Sequence, residues 1–253
     1  MNVRYPTTDK PASPEYVLAV LRDDHRQQCQ YDPEAEPEIS LLFDSTIADW
    51  RHACDLVPWR RLGRALNDEW DIRIPDKVWR EVLEPAGEKT LDGVCRLIAT
   101  YAHRPVVRPA RMCGAECETA GAFLTIRSLL HECGVRAEHI RPSTPLASYA
   151  RRYTGVFLGP VARLAPGAVP LINVHAPLYD AIMWGIPAGF VLVVAGLIPM
   201  LRPLAFLGVM LWFLSCVSAW IAAFLIPPKN VTFGEVETFG DLARVIVAAR
   251  EKN

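Results

Sequence analysis

Two long runs without a charged side chain constrain this chain more than any other feature. From Ala181 to Met200 it reads AIMWGIPAGFVLVVAGLIPM, and from Leu204 to Ile226 it reads LAFLGVMLWFLSCVSAWIAAFLI. Only Leu201-Arg202-Pro203 separates them. At a rise of 1.5 Å per residue, each run reaches the roughly 20 residues that cross ~30 Å of hydrocarbon. Residues 181–200 and 204–226 are therefore expected to form a two-helix transmembrane hairpin in a lipid bilayer. So short a connection makes the helices antiparallel. Gly185, Gly189 and Gly196 allow their backbones to approach closely, while Pro187 and Pro199 kink or end the first. Arg151, Arg152, Arg163 and Lys229 flank the pair, against Arg202 alone in the turn. The positive-inside rule then puts both termini in the cytosol, at an inner (cytoplasmic) membrane.

The rest of the chain narrows the possible partners and compartment. Its 27 basic and 28 acidic residues leave a net charge of −1, without the basic excess a nucleic-acid binder uses to neutralise phosphates. No nucleic-acid partner is expected. Seven cysteines are an odd number, and Cys216 sits in an apolar run, which speaks against a disulfide framework and for a reducing compartment. Residues 1–13 are polar and proline-bearing, read as a flexible N-terminus, and lack the apolar core of a secretory signal.

Helical periodicity dominates residues 14–105. Tyr16, Val17, Val20 and Leu21 recur at helical spacing in 14–28, behind a Pro14 suited to a first turn. Residues 31–38, YDPEAEPE, form a polar loop. Trp59, Leu62, Leu66 and Trp70 share a helix face, Ile72 and Ile74 form a short extended piece, and Thr90 caps a helix carrying Leu91, Val94, Leu97 and Ile98 inward. The stretch Asn67-Asp68-Glu69-Trp70-Asp71-Ile72-Arg73-Ile74-Pro75-Asp76, followed by Thr90-Leu91-Asp92-Gly93-Val94, resembles the second half of an acyl carrier protein. The resemblance implies a four-helix bundle over about 60 to 90 residues. It places the family's Asp-Ser-Leu motif on Asp55-Leu56-Val57, so that Leu56 stands where the phosphopantetheine-bearing serine would be. Ser45 follows Asp44 but lies 11 residues too early. The resemblance thus implies the fold and no attached cofactor.

A second copy is expected further on. Glu88-Lys-Thr90-Leu-Asp-Gly-Val-Cys-Arg96-Leu-Ile98 is echoed by Glu237-Thr238-Phe-Gly-Asp-Leu-Ala-Arg244-Val-Ile246. Residues 117–149 begin with an amphipathic helix (Ala122, Phe123, Ile126, Leu129, Leu130) and reach Ile140-x-Pro142-x-Thr144-x-Leu146, similar to the family's first loop. Residues 110–175 and a C-terminal helix in 229–250 would make one degenerate module, split by the hairpin. The expected architecture is all-α: acyl-carrier-like helical bundles plus the hairpin.

Candidate sites are few. Cys113 and Cys117 share a helix face if helical, and His131, Cys133 and His139 follow; two thiolates with imidazoles could hold zinc. The spacing is not that of common zinc knuckles, and buried, unreactive cysteines are the expectation. His52 beside Cys54 and Asp55 lacks an orienting third group for nucleophilic chemistry. Arg60, Arg61 and Arg64, with Asp55, form a face able to dock a protein partner. No Gly-rich phosphate loop, nucleophile elbow or HExxH motif occurs. The expectation is a non-enzymatic, membrane-anchored adaptor without cofactor or bound metal. The alternative is a small membrane-bound enzyme with a thiol or zinc site in 113–139.

Overall fold

The computed structural model describes residues 10–112, 114–175, 177–195, 202–225 and 230–251. They form two compact units, one from residues up to 173 together with 231 onward, the other from 174–230.

The first unit opens with β1 (Lys10–Pro11). Helix α1 (Pro14–Gln28) follows, its first turn closed by Ser13, whose hydroxyl accepts from the Tyr16 amide at 3.2 Å. An irregular loop with several turns leads to α2 (Ile47–Ala53), which starts on a capping box. Thr46 accepts from the Asp49 amide, and the Asp49 carboxylate accepts from the Thr46 amide. Helices α3 (Trp59–Trp70), α4 (Asp76–Leu83) and α5 (Leu91–Tyr101) complete the bundle. Strand β2 (His103–Arg104) then pairs antiparallel with β1 and ties the module's ends together. Val17, Leu18, Leu21, Trp50, Leu62, Leu66, Trp79, Leu83, Leu91, Val94 and Ile98 fill the core, each less than a tenth exposed.

The turn from α3 to α4 shows why Asn67-to-Asp76 has its composition. Asp71 ends α3 in the left-handed region (φ 49°), a conformation that short polar side chains tolerate. The Asn67 amide bonds both backbone groups of Ile74, accepting from its N–H at 3.0 Å and donating to its carbonyl at 2.9 Å. Its oxygen also accepts from Trp79 Nε1 at 3.1 Å. One side chain therefore fixes the turn and orients a fully buried indole. Gly63 lies under that ring, and a methyl there would sit 2.7 Å from Trp79 Cγ.

Beyond this module, β3 (Ala110–Met112) and β4 (Ala115–Cys117) make a hairpin that turns at Gly114 (φ 84°). Helix α6 (Glu118–Glu132) follows, then α7 (Ala147–Arg152) and a one-turn α8 (Thr154–Val156). A π-helical turn (Phe157–Val161) and a 3-10 turn (Ala162–Leu164) continue from it. Strands β5 (Ile172–His175) and β6 (Asn230–Phe233) pair at the passage to and from the second unit. The chain ends on α11 (Phe239–Arg250), which packs on α6. Phe157, Phe233 and Phe239 are almost fully buried beside them.

The two helical groups are closed by matching backbone bonds. In the first, Leu91 N–H donates to Ser45 O (3.0 Å), Asp92 N–H to Phe43 O (2.9 Å) and Ile47 N–H to Lys89 O (2.8 Å). In the second, Phe239 N–H donates to Thr144 O (3.2 Å), Gly240 N–H to Pro142 O (2.8 Å) and Leu146 N–H to Glu237 O (2.7 Å). Ser45 accepts from the Leu42 amide at 2.8 Å, as Thr144 does from Arg141 at 2.8 Å. The bridge Thr46–Thr90 has its counterpart in Pro145–Thr238.

The second unit consists of α9 (Pro177–Ala195) and α10 (Arg202–Leu225), packed antiparallel: Gly189 meets Gly208 and Trp212, while Gly208 meets Leu192 and Val193. A methyl at either glycine would sit within 3 Å of the opposite backbone, so glycine permits this approach. Trp184, Phe190, Val191, Phe206, Leu207 and Phe213 are each more than half exposed.

Three expectations are corrected here. Among the described residues no helix is long and apolar enough to cross a membrane, so the transmembrane hairpin and the membrane location with both termini cytosolic are withdrawn. Helix α9 spends its first turn on Pro177-Leu-Tyr-Asp180, leaving Ala181–Ala195 as its uncharged part. At 1.5 Å per residue that part spans about 22 Å, short of ~30 Å of hydrocarbon. The remainder of the expected spans, 196–200 and 226, lies outside the described residues. Nor is the fold all-α, since three two-stranded sheets accompany the helices. Positive φ at Gly114 and Gly234 marks the reversals beside β3–β4 and β6.

Candidate functional site

The residues aligned with the carrier motif fall between α2 and α3. Asp55 is exposed and held in the left-handed region (φ 43°). Leu56 follows with its N–H bonded to Arg51 O at 2.9 Å and its side chain packed against the module's core. That position thus carries an aliphatic group with no nucleophilic oxygen. The Ser45 hydroxyl is engaged by the Leu42 amide. Glu34 bonds Asp55, and this contact raises the Glu34 carboxyl above its usual range.

The arginines of α3 divide. Arg60 Nε and Arg64 Nη2 both approach Asp76 Oδ2, at 3.5 and 3.1 Å, and Arg60 stacks 5.3 Å from the Trp59 ring centroid. One carboxylate offsets one of two guanidinium charges, and Arg61 stands exposed beside them. Asp55, Arg60, Arg61 and Arg64 are all exposed, and α3 also carries the exposed Asp68 and Glu69.

The thiol and imidazole candidates do not converge. Cys117 caps the start of α6, its sulfur accepting from the Ala120 amide at 3.4 Å. His131 and the C-cap Cys133 lie at the other end, about 20 Å away along a 15-residue helix. His139 is exposed in the following loop, and Cys113 lies outside the described residues. Among the described residues no group of three His, Cys, Asp or Glu side chains could hold a metal ion. His52 pairs with Glu36 (2.9 Å) rather than with Cys54. Burial pushes the Cys54 and Cys95 thiols up to about 12, which keeps them protonated and unreactive.

A polar seam that sequence spacing did not reveal joins the two helical groups along α1. Tyr16 Oη donates to Arg163 O at 2.8 Å, and burial pushes its phenol up to about 12. The Arg163 guanidinium lies 4.3 Å from the Trp70 centroid and donates to Glu69 through both terminal nitrogens, at 2.6 Å to the carbonyl and 2.5 Å to Oε1. Gln27 Nε2 donates to the carbonyls of Val169 and Pro170, each at 3.1 Å, and its Oε1 accepts from Ile172 N–H at 2.9 Å. Arg26, paired with the buried Asp23, also reaches Val169 O. Segment 163–172 is therefore laid along α1 by side chains that bond its backbone.

Asp24 lies in this seam. Burial first, and then the Glu69 charge, push its carboxyl up to about 8, with Arg163 opposing. In the unfolded chain an aspartate titrates near 3.9. Between these values the folded protein holds a proton that the unfolded chain has released, so folding stability falls as pH rises across that window. Asp24→Asn removes the dependence. The urea midpoint of the unchanged protein is expected to drop more between about pH 5 and pH 8 than that of Asp24→Asn, measured side by side.

On the second helical group, a groove of about 860 Å³ opens along α6. Phe123, Leu124, Ala120, Pro142 and Ala243 supply apolar walls, and Arg108 and Arg111 supply cationic ones. At Gly121 a methyl would collide with the Arg108 carbonyl, so α6 rests directly on this backbone.

No family model, curated protein or solved structure matches the chain.

Proposed function

We propose that the chain is a non-catalytic adaptor built from two related carrier-like helical modules, 14–105 and 110–250, the second interrupted by the α9–α10 hairpin. The relation between modules is supported by their closures. Every paired position in the first loop differs by 99 (Phe43 and Pro142, Ser45 and Thr144, Ile47 and Leu146), and every paired position at the last helix differs by 148 (Lys89 and Glu237, Leu91 and Phe239, Asp92 and Gly240). Thr90, Arg96 and Ile98 keep the same offset from Thr238, Arg244 and Ile246. Helices α1 and α6 correspond as well. Each has 15 residues, a side-chain acceptor at the N-cap (Ser13, Cys117) and a cysteine at the C-cap (Cys29, Cys133).

The observation that carries the functional reading is Leu56. A carrier transfers its cargo on an arm attached through a serine oxygen, and here an aliphatic side chain packed on the core takes that place. What remains is a helical body with three exposed arginines on α3 and a tightly bonded seam, suited to holding a protein partner. The test is co-expression of the full chain with a promiscuous phosphopantetheinyl transferase, followed by intact mass measurement. The mass is expected to stay unchanged, and a gain of one phosphopantetheine would overturn the reading.

A further inference from the structure

Strands β1 and β2 set two cations side by side. Their antiparallel register places Lys10 directly opposite Arg104, on the other face of the ribbon from Pro11 and His103. Directly opposed side chains stand about 4.5–5.5 Å apart at Cβ, and like charges so placed destabilise the pairing. Both residues are exposed. An anion lying between them would relieve the repulsion.

The pair borders a cleft of about 510 Å³. A third cation lines it: Arg250, at the end of α11, is held by a bond from Nη1 to the Val107 carbonyl at 3.4 Å. Ser13, Glu15 and Tyr16, from the start of α1, also line the cleft, so the positive end of that helix adds to the three side chains. Arg104 is near enough to Tyr16 to oppose the rise that burial gives its phenol. Among the described lining residues Glu15 is the one carboxylate. It is engaged at the helix start, where its own backbone amide and then the Ser13 hydroxyl hold its carboxyl below the usual range. Three cations against one carboxylate leave the lining with a surplus of two positive charges. The remaining wall is apolar, with Val106 and Pro105 on one side and the buried Leu164 and Ala165 on the other.

We propose that this cleft binds a small organic phosphate monoester. Lys10, Arg104 and Arg250 hold its phosphoryl group, and its organic body lies against Val106 and Leu164. A phosphoryl group carries about −1.5 to −2 charges at neutral pH and three acceptor oxygens. That matches two guanidinium forks and an ammonium better than a singly charged carboxylate does. The cleft falls within the ~300–1,000 Å³ of preformed small-molecule sites. It needs no kinship between the two helical modules, and it adds a ligand to the adaptor reading.

The test is isothermal titration calorimetry of the full chain with phenyl phosphate, phenyl sulfate, inorganic phosphate and the peptide Gly-Gly-phosphoserine-Gly-Gly. Phenyl phosphate is expected to bind saturably. Phenyl sulfate has the same body with a single charge and should bind about threefold more weakly or less. Inorganic phosphate lacks the body and should lose about as much. Arg104→Gln and Lys10→Gln are each expected to lower the phenyl phosphate affinity by about fivefold or more. Without ligand, the urea midpoint of Arg104→Gln is not expected to fall, because the pairing loses only a repulsion. Arg136→Gln removes an exposed cation outside the cleft and should leave binding unchanged. No saturable binding, equal affinity for phenyl phosphate and inorganic phosphate, or a loss in Arg136→Gln equal to that in Arg104→Gln would overturn the proposal. So would tighter binding of the phosphoserine peptide than of phenyl phosphate, which would assign the cleft to a phosphorylated protein segment.

Discussion

Trp79→Ala is expected to destabilise the protein by about 3–5 kcal/mol, a large share of a typical domain's stability. The ring is fully buried against Gly63, where the absence of a side chain leaves room for it. Truncation would open a cavity that the surrounding Leu62, Leu66 and Leu83 fill only in part, since each is fixed by its own helix. It would also remove the indole donor from Asn67, whose oxygen would keep only the Ile74 amide. Urea unfolding followed by far-UV circular dichroism measures the effect. A loss below about 1 kcal/mol would mean that Trp79 is not packed as described.

Phe239→Ala is expected to have a comparable effect, about 3–5 kcal/mol, from the second module. Phe239 is fully buried at the first turn of α11, with its ring edge-on to Tyr149 at 5.4 Å and tilted against Phe157 at 6.0 Å. Its amide makes the closing bond to Thr144 O. Four tryptophans of the first module, Trp50, Trp59, Trp70 and Trp79, report on a region that does not contain position 239. Because Tyr16, Arg26, Gln27 and Arg163 bond the two modules across the seam, tryptophan fluorescence and circular dichroism are expected to shift together in Phe239→Ala. A fluorescence transition left in place while the helical signal moves would show that the modules unfold independently.

These effects depend on features that were unequally legible in the sequence. Helix α1 was readable at its observed limits because Pro14 and the apolar spacing both act locally. The echo of residues 88–98 in 237–246 was readable because both segments begin a helix after a threonine and repeat the same core spacing, although only Thr238 closes a capping box. The segment Asn67–Asp76 stood out in the sequence, but the reason for Asn67, three bonds to Ile74 and Trp79, depends on how the turn folds back. The β3–β4 hairpin left a signal that was missed: a Cys113-Gly114 pair between short flanks, of the kind that supplies positive φ. Helix α6 ends at Glu132 rather than running on because Gly134 (φ 80°) takes up the left-handed conformation common after helices.

The candidate sites were less legible than the fold. Cys117 is near His131 and Cys133 in sequence, yet the length of α6 keeps it apart from both. Asp24, Glu69 and Arg163 are distant in sequence, yet the seam brings them together; pairings over such separations carry no local pattern. The uncharged runs were read as a transmembrane hairpin, but absence of charge does not set where a helix begins, and α9 starts on Pro177-Leu-Tyr-Asp180.

The measurement that bears most directly on the central claim is the intact mass of the full chain after exposure to a promiscuous phosphopantetheinyl transferase, with an active carrier protein treated alongside. With Leu56 packed where an acceptor serine would stand, the carrier should gain the arm and this chain should keep its unmodified mass. A chain that gains it would be a working carrier, with its acceptor at a serine other than position 56.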